Sequence, residues 1–342
     1  RDEKPEHYGL AHFVEHTIFK GTTQRSSWHI SNRMERVGGE LNAYTTKEET
    51  VIYTVAPQGY LQRGLELIAD LVKNATFPEH ELDKEREVVI DEINSYLDSP
   101  SETVFDKFED FIYQGSSMGH NILGSPESVK SLNSSKCRDF IDKFYTPRNM
   151  AIYCVDPTPF DKVEREITKQ FGNLKFPYEY NNREIPEIIA PFEKTINNNG
   201  HQAHTIIGSR IFGKYDDRRF ALFLLNNYIG GPCMNSRLNQ ELRERNGLVY
   251  TVDSSVGLMS NCGLFQIYFG CDSSNIAKCK KIRYNNWEIY HKECKNMKLS
   301  PLQTARYQYQ PKLPGMLRNG ISEICVKNGE PTQSVADQEK IA

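Results

Sequence analysis

The sequence predicts an α+β fold built from two homologous domains, and three observations lead to this prediction. The chain has 342 residues, a length that corresponds to about two domains. Segments with helical periodicity alternate with runs rich in β-branched and aromatic residues, which are typical of strands. The second half also repeats the order strand, turn and long helix found in the first half. We therefore expect each domain to contain an antiparallel or mixed sheet with helices packed on one face.

The first half is predicted to be mostly helical, with a few strands. Residues 10–20 form the first predicted helix, because apolar residues recur there at helical spacing. Two strands follow within GGELNAYTTKEETVIYTVAP, where LNAYTT alternates and TVIYTV is rich in β-branched and aromatic residues. Further helices are predicted in QGYLQRGLELIADLVKN, residues 79–97, TVFDKFEDFIYQG and SLNSSKCRDFIDKFY, and a further strand in NMAIYCV.

The second half repeats this outline after a segment without periodicity. TVIYTVAPQGYLQRGLELIADLVKNATFPEHEL is echoed by LFQIYFGCDSSNIAKCKKIRYNNWEIYHKECKNMKLSPLQT. Residues 177–200 carry three prolines and many asparagines, which is typical of a linker. We predict a first domain at 1–185, a linker at 186–199 and a second domain at 200–342.

The composition gives no sign of a nucleic-acid partner or of a membrane span. The formal net charge is −3 and the two signs are interspersed, while no apolar run approaches the roughly 18 residues of a spanning helix. The eight cysteines form no C-x-x-C pair, so we expect small buried side chains in a reducing compartment. We expect a cytoplasmic location, with the mitochondrial matrix as the alternative. Any targeting signal would precede Arg1 and does not enter this expectation.

His12, Glu15 and His16 form the pattern H-x-x-E-H in the first predicted helix. At about 100° per residue, the three side chains fall within about 100° of arc. Both imidazoles can then reach one ion, and the carboxylate lies beside them. Zinc suits such a site, because it prefers imidazole nitrogen and accepts three protein ligands plus water. The alternative interpretation is a polar helix face without a metal.

The helix predicted at 79–97 carries carboxylates on two faces. Glu85 and Glu92 are seven residues apart, so they lie within about 20° of each other on a face that also carries two valines. We expect this face to be buried, and buried carboxylates need a cation or hydrogen-bond donors. Glu87 and Asp91 point roughly the other way, towards solvent.

Three segments, GLAHFVEHTIFKGT, GGELNAYTTKEET and EREVVIDEI, resemble the pitrilysin/insulinase family of zinc peptidases, whose H-x-x-E-H motif reverses the commoner H-E-x-x-H. The resemblance covers nearly the whole chain and is closest to the small bacterial members and the mitochondrial processing peptidase type, which have two homologous domains per chain. It implies that His12 and His16 bind one zinc ion per chain. It also implies that Glu92, 76 residues after His16 (92 − 16 = 76), completes the metal shell and that Glu85 supports the site.

The same resemblance implies substrate-binding residues. In NSRLNQELRERNGLVYTV, Arg243 and Tyr250 match an arginine and a tyrosine that reach the bound peptide, and both are suitable donors to an oxyanion. The alternative interpretation is that Arg243 caps a helix and that Tyr250 is a strand residue packed at the domain surface. Asn42 and Ala43 match an edge strand on which the substrate pairs as an added strand, the alternative being a plain strand start. Phe19 matches a pocket residue, although a core aromatic is equally compatible.

Both ends of the chain depart from the family pattern. The family would have completed a first strand before the segment RDE, and it expects an unbroken helix after Leu299, where Pro311 and Pro314 interrupt this sequence. We therefore expect the second domain to be incomplete at its C-terminal end.

These observations predict a metalloendopeptidase that hydrolyses extended peptides or presequences, with Glu15 as general base. The resemblance implies a homodimer, or a heterodimer with a homologous subunit. The alternative is a non-catalytic or partner-dependent subunit that acts as a scaffold in a processing-peptidase-like complex. The presence of His12, Glu15, His16 and Glu92 together favours the enzyme.

Overall fold

The computed structural model describes residues 1–174, 183–197 and 200–281, together with the backbone of 322–327. The α-helices are α1 (Leu10–Thr17), α2 (Ser27–Glu35), α3 (Leu61–Asn74), α4 (Glu79–Leu97), α5 (Pro100–Ile112), α6 (Pro126–Lys130), α7 (Ser134–Phe144), α8 (Phe160–Phe171) and α9 (Arg219–Gly230). The strands are β1 (Glu40–Thr45), β2 (Thr50–Val55), β3 (Glu193–Asn197), β4 (Ala203–Ile211), β5 (Val249–Leu258), β6 (Gly263–Cys271) and β7 (Ser322–Lys327). One short π-helix spans Asn239–Glu244.

The chain divides into two compact units. The first comprises Arg1–Tyr96 and His120–Glu184, and the second comprises Leu97–Gly119 and Ile185–Ala342. The mixture of helices and small sheets confirms the predicted α+β class with two domains.

The core of the first unit lies between helices. Phe13 and Val14 of α1, Leu67 of α3 and Val89 of α4 are fully buried in one apolar cluster. The buried residues of α4 recur three or four positions apart, so one stripe of this helix faces the core. Because Glu85 lies on that stripe, α4 carries a carboxylate towards α1.

The sheet of the first unit is an antiparallel pair. Asn42 of β1 lies opposite Tyr53 of β2, and Ala43 lies opposite Ile52. Along β1, exposed side chains alternate with half-buried ones, as expected for a strand with one face on the core. Among the described residues, β2 is the only strand that pairs with β1.

The second unit contains a five-stranded sheet in the order β3–β7–β4–β6–β5. β3 and β7 are parallel and the other pairs are antiparallel. Helix α5 packs on β4, and Gly208 lies at this contact: a Cβ there would lie 2.9 Å from the ring of Phe108 and 2.5 Å from the carbonyl oxygen of Phe265. Glycine is therefore required by the contact between helix and sheet.

The units differ from the predicted domain limits in two places. Residues 97–119 belong to the second unit, because α5 buries Val104, Phe108 and Ile112 in a cluster with Ile206 of β4. The segment 186–199, predicted as a linker, contains β3, which pairs with β7.

Two element predictions also need correction. The helix predicted at 10–20 ends at Thr17, and a 3₁₀ turn continues to Lys20. NMAIYCV forms no strand: Tyr153 is 90% exposed and Val155 81% exposed, and no described strand pairs with the segment. The long helix expected after β6 lies largely outside the described residues. Pro311 and Pro314 lie entirely outside them. In the described part of the chain, every helix is too short or too polar to cross a membrane.

Candidate metal centre

The candidate centre is built on α1, whose start is set by a glycine. Gly9 has φ +95°, and a Cβ there would lie 2.6 Å from the carbonyl oxygen of Leu123. The helix then buries Phe13 and Val14 in the core. Because these residues fix the rotation of the helix, they also fix where His12, Glu15 and His16 project.

Glu3 caps this helix from outside it. Its carboxylate accepts hydrogen bonds from the backbone N–H of Ala11 at 2.5 Å and of Gly9 at 3.3 Å. The His120 Nε2 atom lies 3.4 Å from the Glu3 Oε2 atom, and the His120 ring stacks on Tyr8 with centroids 3.6 Å apart. A negative group at a helix N-terminus satisfies free N–H groups and complements the helix dipole.

Three side chains from α1 and α4 converge at the centre. The Glu92 Oε2 atom lies 3.4 Å from the His16 Nε2 atom and 3.7 Å from the His12 Nε2 atom. One donor atom from each of the three residues lies within 4.8 Å of the others, and the two imidazole centroids are 4.5 Å apart. In the described ranges, this is the only such group of three or more histidine, cysteine or acidic residues.

Glu85 holds the second imidazole in place. The His16 Nδ1 atom lies 3.0 Å from the Glu85 Oε1 atom, and the Lys20 ammonium lies 2.6 Å from Glu85 Oε2. Burial opposes ionisation of Glu85, but these hydrogen bonds from His16 and Lys20 keep its pKa below the usual value. Burial also lowers the pKa of His16, yet the bond to Glu85 and the charge of Glu92 raise that pKa overall. A carboxylate on Nδ1 directs the free Nε2 atom towards Glu92.

The environment of His12 is different. Burial, followed by the neighbouring His16, lowers the pKa of His12 to about 4, so this ring is neutral near pH 7, the form that binds metal. Its Nδ1 atom is buried and, among the described residues, has no hydrogen-bond partner.

Glu15 lies between the two histidines in sequence and is half-buried. Its Oε2 atom is buried and has no hydrogen-bond partner in the described part of the chain. Burial, together with the charge of Glu15, raises the pKa of the Tyr145 hydroxyl. A carboxylate oxygen without a protein donor is free to accept a proton from a reactant.

The donor set fits zinc. Two imidazole nitrogens and one carboxylate oxygen are a common three-ligand set for catalytic zinc, with the fourth position left to water or substrate. The hydrogen bond from His16 to Glu85 is the outer contact that such ligands usually make. The side chain of Glu92 is 44% exposed, so the centre is open on one side.

This exposure corrects part of the sequence prediction. Glu85 is buried as expected, but Glu92 is not, although both lie on the predicted face. Val88 is 51% exposed whereas Val89 is fully buried, so only one of the two valines faces the core. Glu92 lies at the exposed edge of the buried stripe, one position before Ile93, and its carboxylate turns to the imidazoles instead of packing inside.

The other predicted residues occupy varied environments. Phe19 packs against the core cluster of the first unit, and Asn42 and Ala43 lie in the middle of β1, with Asn42 exposed. Arg243 is in the π-helix and Tyr250 is in β5, with the Tyr250 hydroxyl 3.4 Å from Asp272 Oδ1. The roles of these residues stay predictions.

Sequence reasoning missed Glu3. It precedes the first residue of α1 by seven positions, too far for a standard N-cap. Only the fold of the intervening turn, which includes the 3₁₀ segment Pro5–His7, brings its carboxylate back to the helix. An acidic residue shortly before the helix with the H-x-x-E-H pattern was the only available signal.

Comparison with known proteins gives consistent matches along the chain. The profile described as insulinase (peptidase family M16) matches residues 1–126, and the profile described as peptidase M16 inactive domain matches residues 131–293. An uncharacterized zinc protease of Bacillus subtilis is 32% identical over 95% of this chain and 80% of its own length. An uncharacterized zinc protease of Streptomyces coelicolor is 33% identical over 82% of this chain. The match covers 63% of that relative's own length.

A solved structure shows the same fold. The crystal structure described as the peptidase M16 inactive domain from Pseudomonas fluorescens superposes with a TM-score of 0.82, covering 96% of this chain and 90% of that chain. Its sequence identity is 16%, so this likeness concerns the fold.

Proposed function

This chain belongs to peptidase family M16, the insulinase family, and on that premise we propose that it is a zinc-dependent endopeptidase acting on extended peptides. The observation that carries the proposal is the convergence of donor atoms from His12, His16 and Glu92 within 4.8 Å of one another. The relatives at 32–33% identity are themselves named zinc proteases.

The three converging residues would hold the metal. A zinc ion bound there supplies a Lewis acid that polarises a carbonyl and lowers the pKa of water towards neutrality. His12 contributes a neutral ring, while Glu85 orients His16 so that its Nε2 atom points to the site. One ion per chain matches the single donor cluster found among the described residues.

Glu15 would move the proton. It accepts the proton of the attacking water and then delivers it to the leaving amine, the two tasks of a general base and acid in peptide hydrolysis. The Oε2 atom, which is buried and has no donor among the described residues, is suited to this exchange.

The substrate would bind as an added strand. β1 pairs with β2 on one side and with no other described strand, so its free edge offers backbone N–H and C=O groups near Asn42 and Ala43. Main-chain pairing selects an extended peptide rather than a particular sequence. Arg243 and Tyr250 would donate hydrogen bonds to the developing oxyanion, and Phe19 would contribute to a substrate pocket.

The test is zinc analysis combined with cleavage of a mixed peptide library, with and without chelator. The Glu15→Gln variant is expected to retain one zinc ion and to lose turnover by about 10²–10⁴-fold, the usual contribution of a general base. Glu35→Gln, at an exposed position of α2, is the matched control and should cleave at the parental rate. Parental turnover by Glu15→Gln would refute its role.

A second candidate is a subunit that works with a homologous partner. The family description of residues 131–293 as an inactive domain favours a division of labour, with a catalytic first domain and a supporting second one. In this version the chain forms a homodimer or a heterodimer, and its monomer is inactive. Gel filtration with a peptidase assay separates the two candidates: activity in a monomer fraction excludes partner dependence.

The compartment also belongs to the proposal. We place the enzyme in the cytoplasm or, as the alternative, in the mitochondrial matrix. In support, the six cysteine side chains that the structure describes form no disulfide with one another, which suits a reducing compartment.

A further inference from the structure

A second polar site lies on α2, in the first unit. A cavity of about 190 Å³ opens there, lined by four arginines together with an indole, an imidazole and two amide side chains: Arg25, Arg33, Arg36, Arg63, Trp28 and His29 are its principal residues. In the part of the chain that the structure describes, no carboxylate lines it. Donors predominate in its walls, since only the two amides and the imidazole can also accept a hydrogen bond.

Part of this positive charge is neutralised from behind the cavity. Arg25 pairs with Glu66 and, at 2.5 Å, with Asp70, and Arg33 also pairs with Glu66. Asp70 is only 4% exposed, so Arg25 has a structural role as the partner of a buried carboxylate. These pairs alone would describe an ordinary ion network.

Arg36 and Arg63 do not take part in that ion network. Within the described residues, neither forms an ion pair: Arg63 donates to the Arg33 carbonyl oxygen at 2.6 Å, and the Arg36 guanidinium lies 5.0 Å from the Trp28 ring centroid. The Arg33 Nε atom is buried and, among the described residues, lacks a hydrogen-bond partner, although its Nη2 atom pairs with Glu66. Four guanidinium groups against two carboxylates leave two positive charges at one small cavity.

We propose that this cavity binds a phosphate group. A phosphate monoester carries a charge of about −1.5 to −2 and three strong acceptor oxygens, which matches two unbalanced cations better than a single carboxylate does. Arginine is the side chain best shaped for bidentate contacts with phosphate. The exposed Trp28, 56% accessible, provides an apolar wall beside the charged groups. The proposal is independent of peptide hydrolysis.

The first test is titration of the full chain with inorganic phosphate by calorimetry at constant ionic strength, with acetate as the control anion. Saturable binding of phosphate and not of acetate is expected. Arg36→Gln and Arg63→Gln should each weaken phosphate binding about tenfold, the effect of one charge-assisted hydrogen bond. Both residues lie outside the pairs that support Asp70, so the variants should fold.

Two controls keep this result specific. Arg165→Gln removes an exposed arginine of α8 in the same unit and should bind phosphate like the parent. His12→Gln removes a predicted zinc ligand and should also bind phosphate like the parent, so loss of the metal site and loss of the phosphate site are separate outcomes.

The source of the phosphate is settled by a vesicle assay. Co-sedimentation with phosphatidic acid vesicles, absent with phosphatidylcholine and lost in Arg36→Gln, identifies a lipid headgroup; binding of soluble phosphate alone identifies a small molecule. The proposal is overturned if phosphate shows no saturable binding, if acetate or an acidic dipeptide binds equally well, or if Arg36→Gln binds like Arg165→Gln.

Discussion

In the first unit the strand β1 alternates between exposed and half-buried residues, whereas in the second unit β4 is buried along nearly its whole length. The first unit places a histidine–carboxylate cluster on the helices beside its small sheet, and the described part of the second unit contains no comparable cluster. The M16 profiles match residues 1–126 and 131–293, and these ranges include parts of both units. The family architecture therefore does not by itself create the site; a few donors placed on two helices of one unit do.

The difference between the units is the donor cluster found in the first unit, and this cluster depends most directly on Glu92. Glu92→Gln is expected to lose nearly all bound zinc and all peptidase activity, because an amide oxygen is a much weaker zinc ligand than a carboxylate. Zinc analysis of the purified variant measures this. Glu87→Gln, an exposed neighbour on the same helix, is the control and should hold zinc like the parent. Full zinc content in Glu92→Gln would remove the contrast between the units.

Glu85 should show a smaller effect on the same site. Glu85→Gln breaks the charged contact with His16 and Lys20 and is expected to weaken zinc binding about 10- to 100-fold, as is usual for a group that orients a ligand. Competition with a chelator of known affinity gives the measurement. An unchanged zinc affinity would mean that the imidazole is oriented by its helix alone.

In the second unit, a mutation in the core should change the free energy of unfolding but not the zinc content. Gly208→Ala is expected to lower the free energy of unfolding by about 1–3 kcal/mol, since the new Cβ would crowd the Phe108 ring and the Phe265 carbonyl oxygen. Denaturant unfolding measures the loss, and zinc content should stay unchanged. A loss of zinc together with stability would show that the metal site depends on the second unit.

The smallest effect is expected at the cap of α1. Glu3→Gln keeps the size of the side chain but removes the charge that accepts from Gly9 and Ala11, and it should lower the free energy of unfolding by about 0.5–2 kcal/mol. Glu6→Gln, exposed in the preceding turn, is the control. Equal stability of the two variants would show that the cap does not stabilise α1.

Helical phase was sufficient to predict the local part of the site. It placed His12, Glu15 and His16 on one arc and separated Glu85 from Glu87, because these relations depend only on the geometry of one helix. The meeting of α1 with α4 came instead from the spacing typical of a known family. Phase also failed to predict the exposure of Glu92, which depends on what covers that end of α4.

Features that depend on tertiary partners were not predictable. NMAIYCV has strong strand propensity, yet Tyr153 is 90% exposed and the segment has no described strand beside it. Strand propensity reflects packing against neighbouring strands, so a segment without such neighbours does not form a strand. Helix α5 is contiguous in sequence with the first unit but buries Phe108 in the second. The cap by Glu3 likewise requires a turn that no periodicity reveals.

The central claim is that two imidazoles and one carboxylate of the first unit converge on zinc. Zinc-edge X-ray absorption of the chain loaded with one equivalent of zinc tests it most directly. The account predicts a first shell of nitrogen and oxygen at about 2.0–2.2 Å with imidazole scattering and no sulfur. Sulfur scattering near about 2.3 Å would contradict it, since zinc would then be held by some of the eight cysteines.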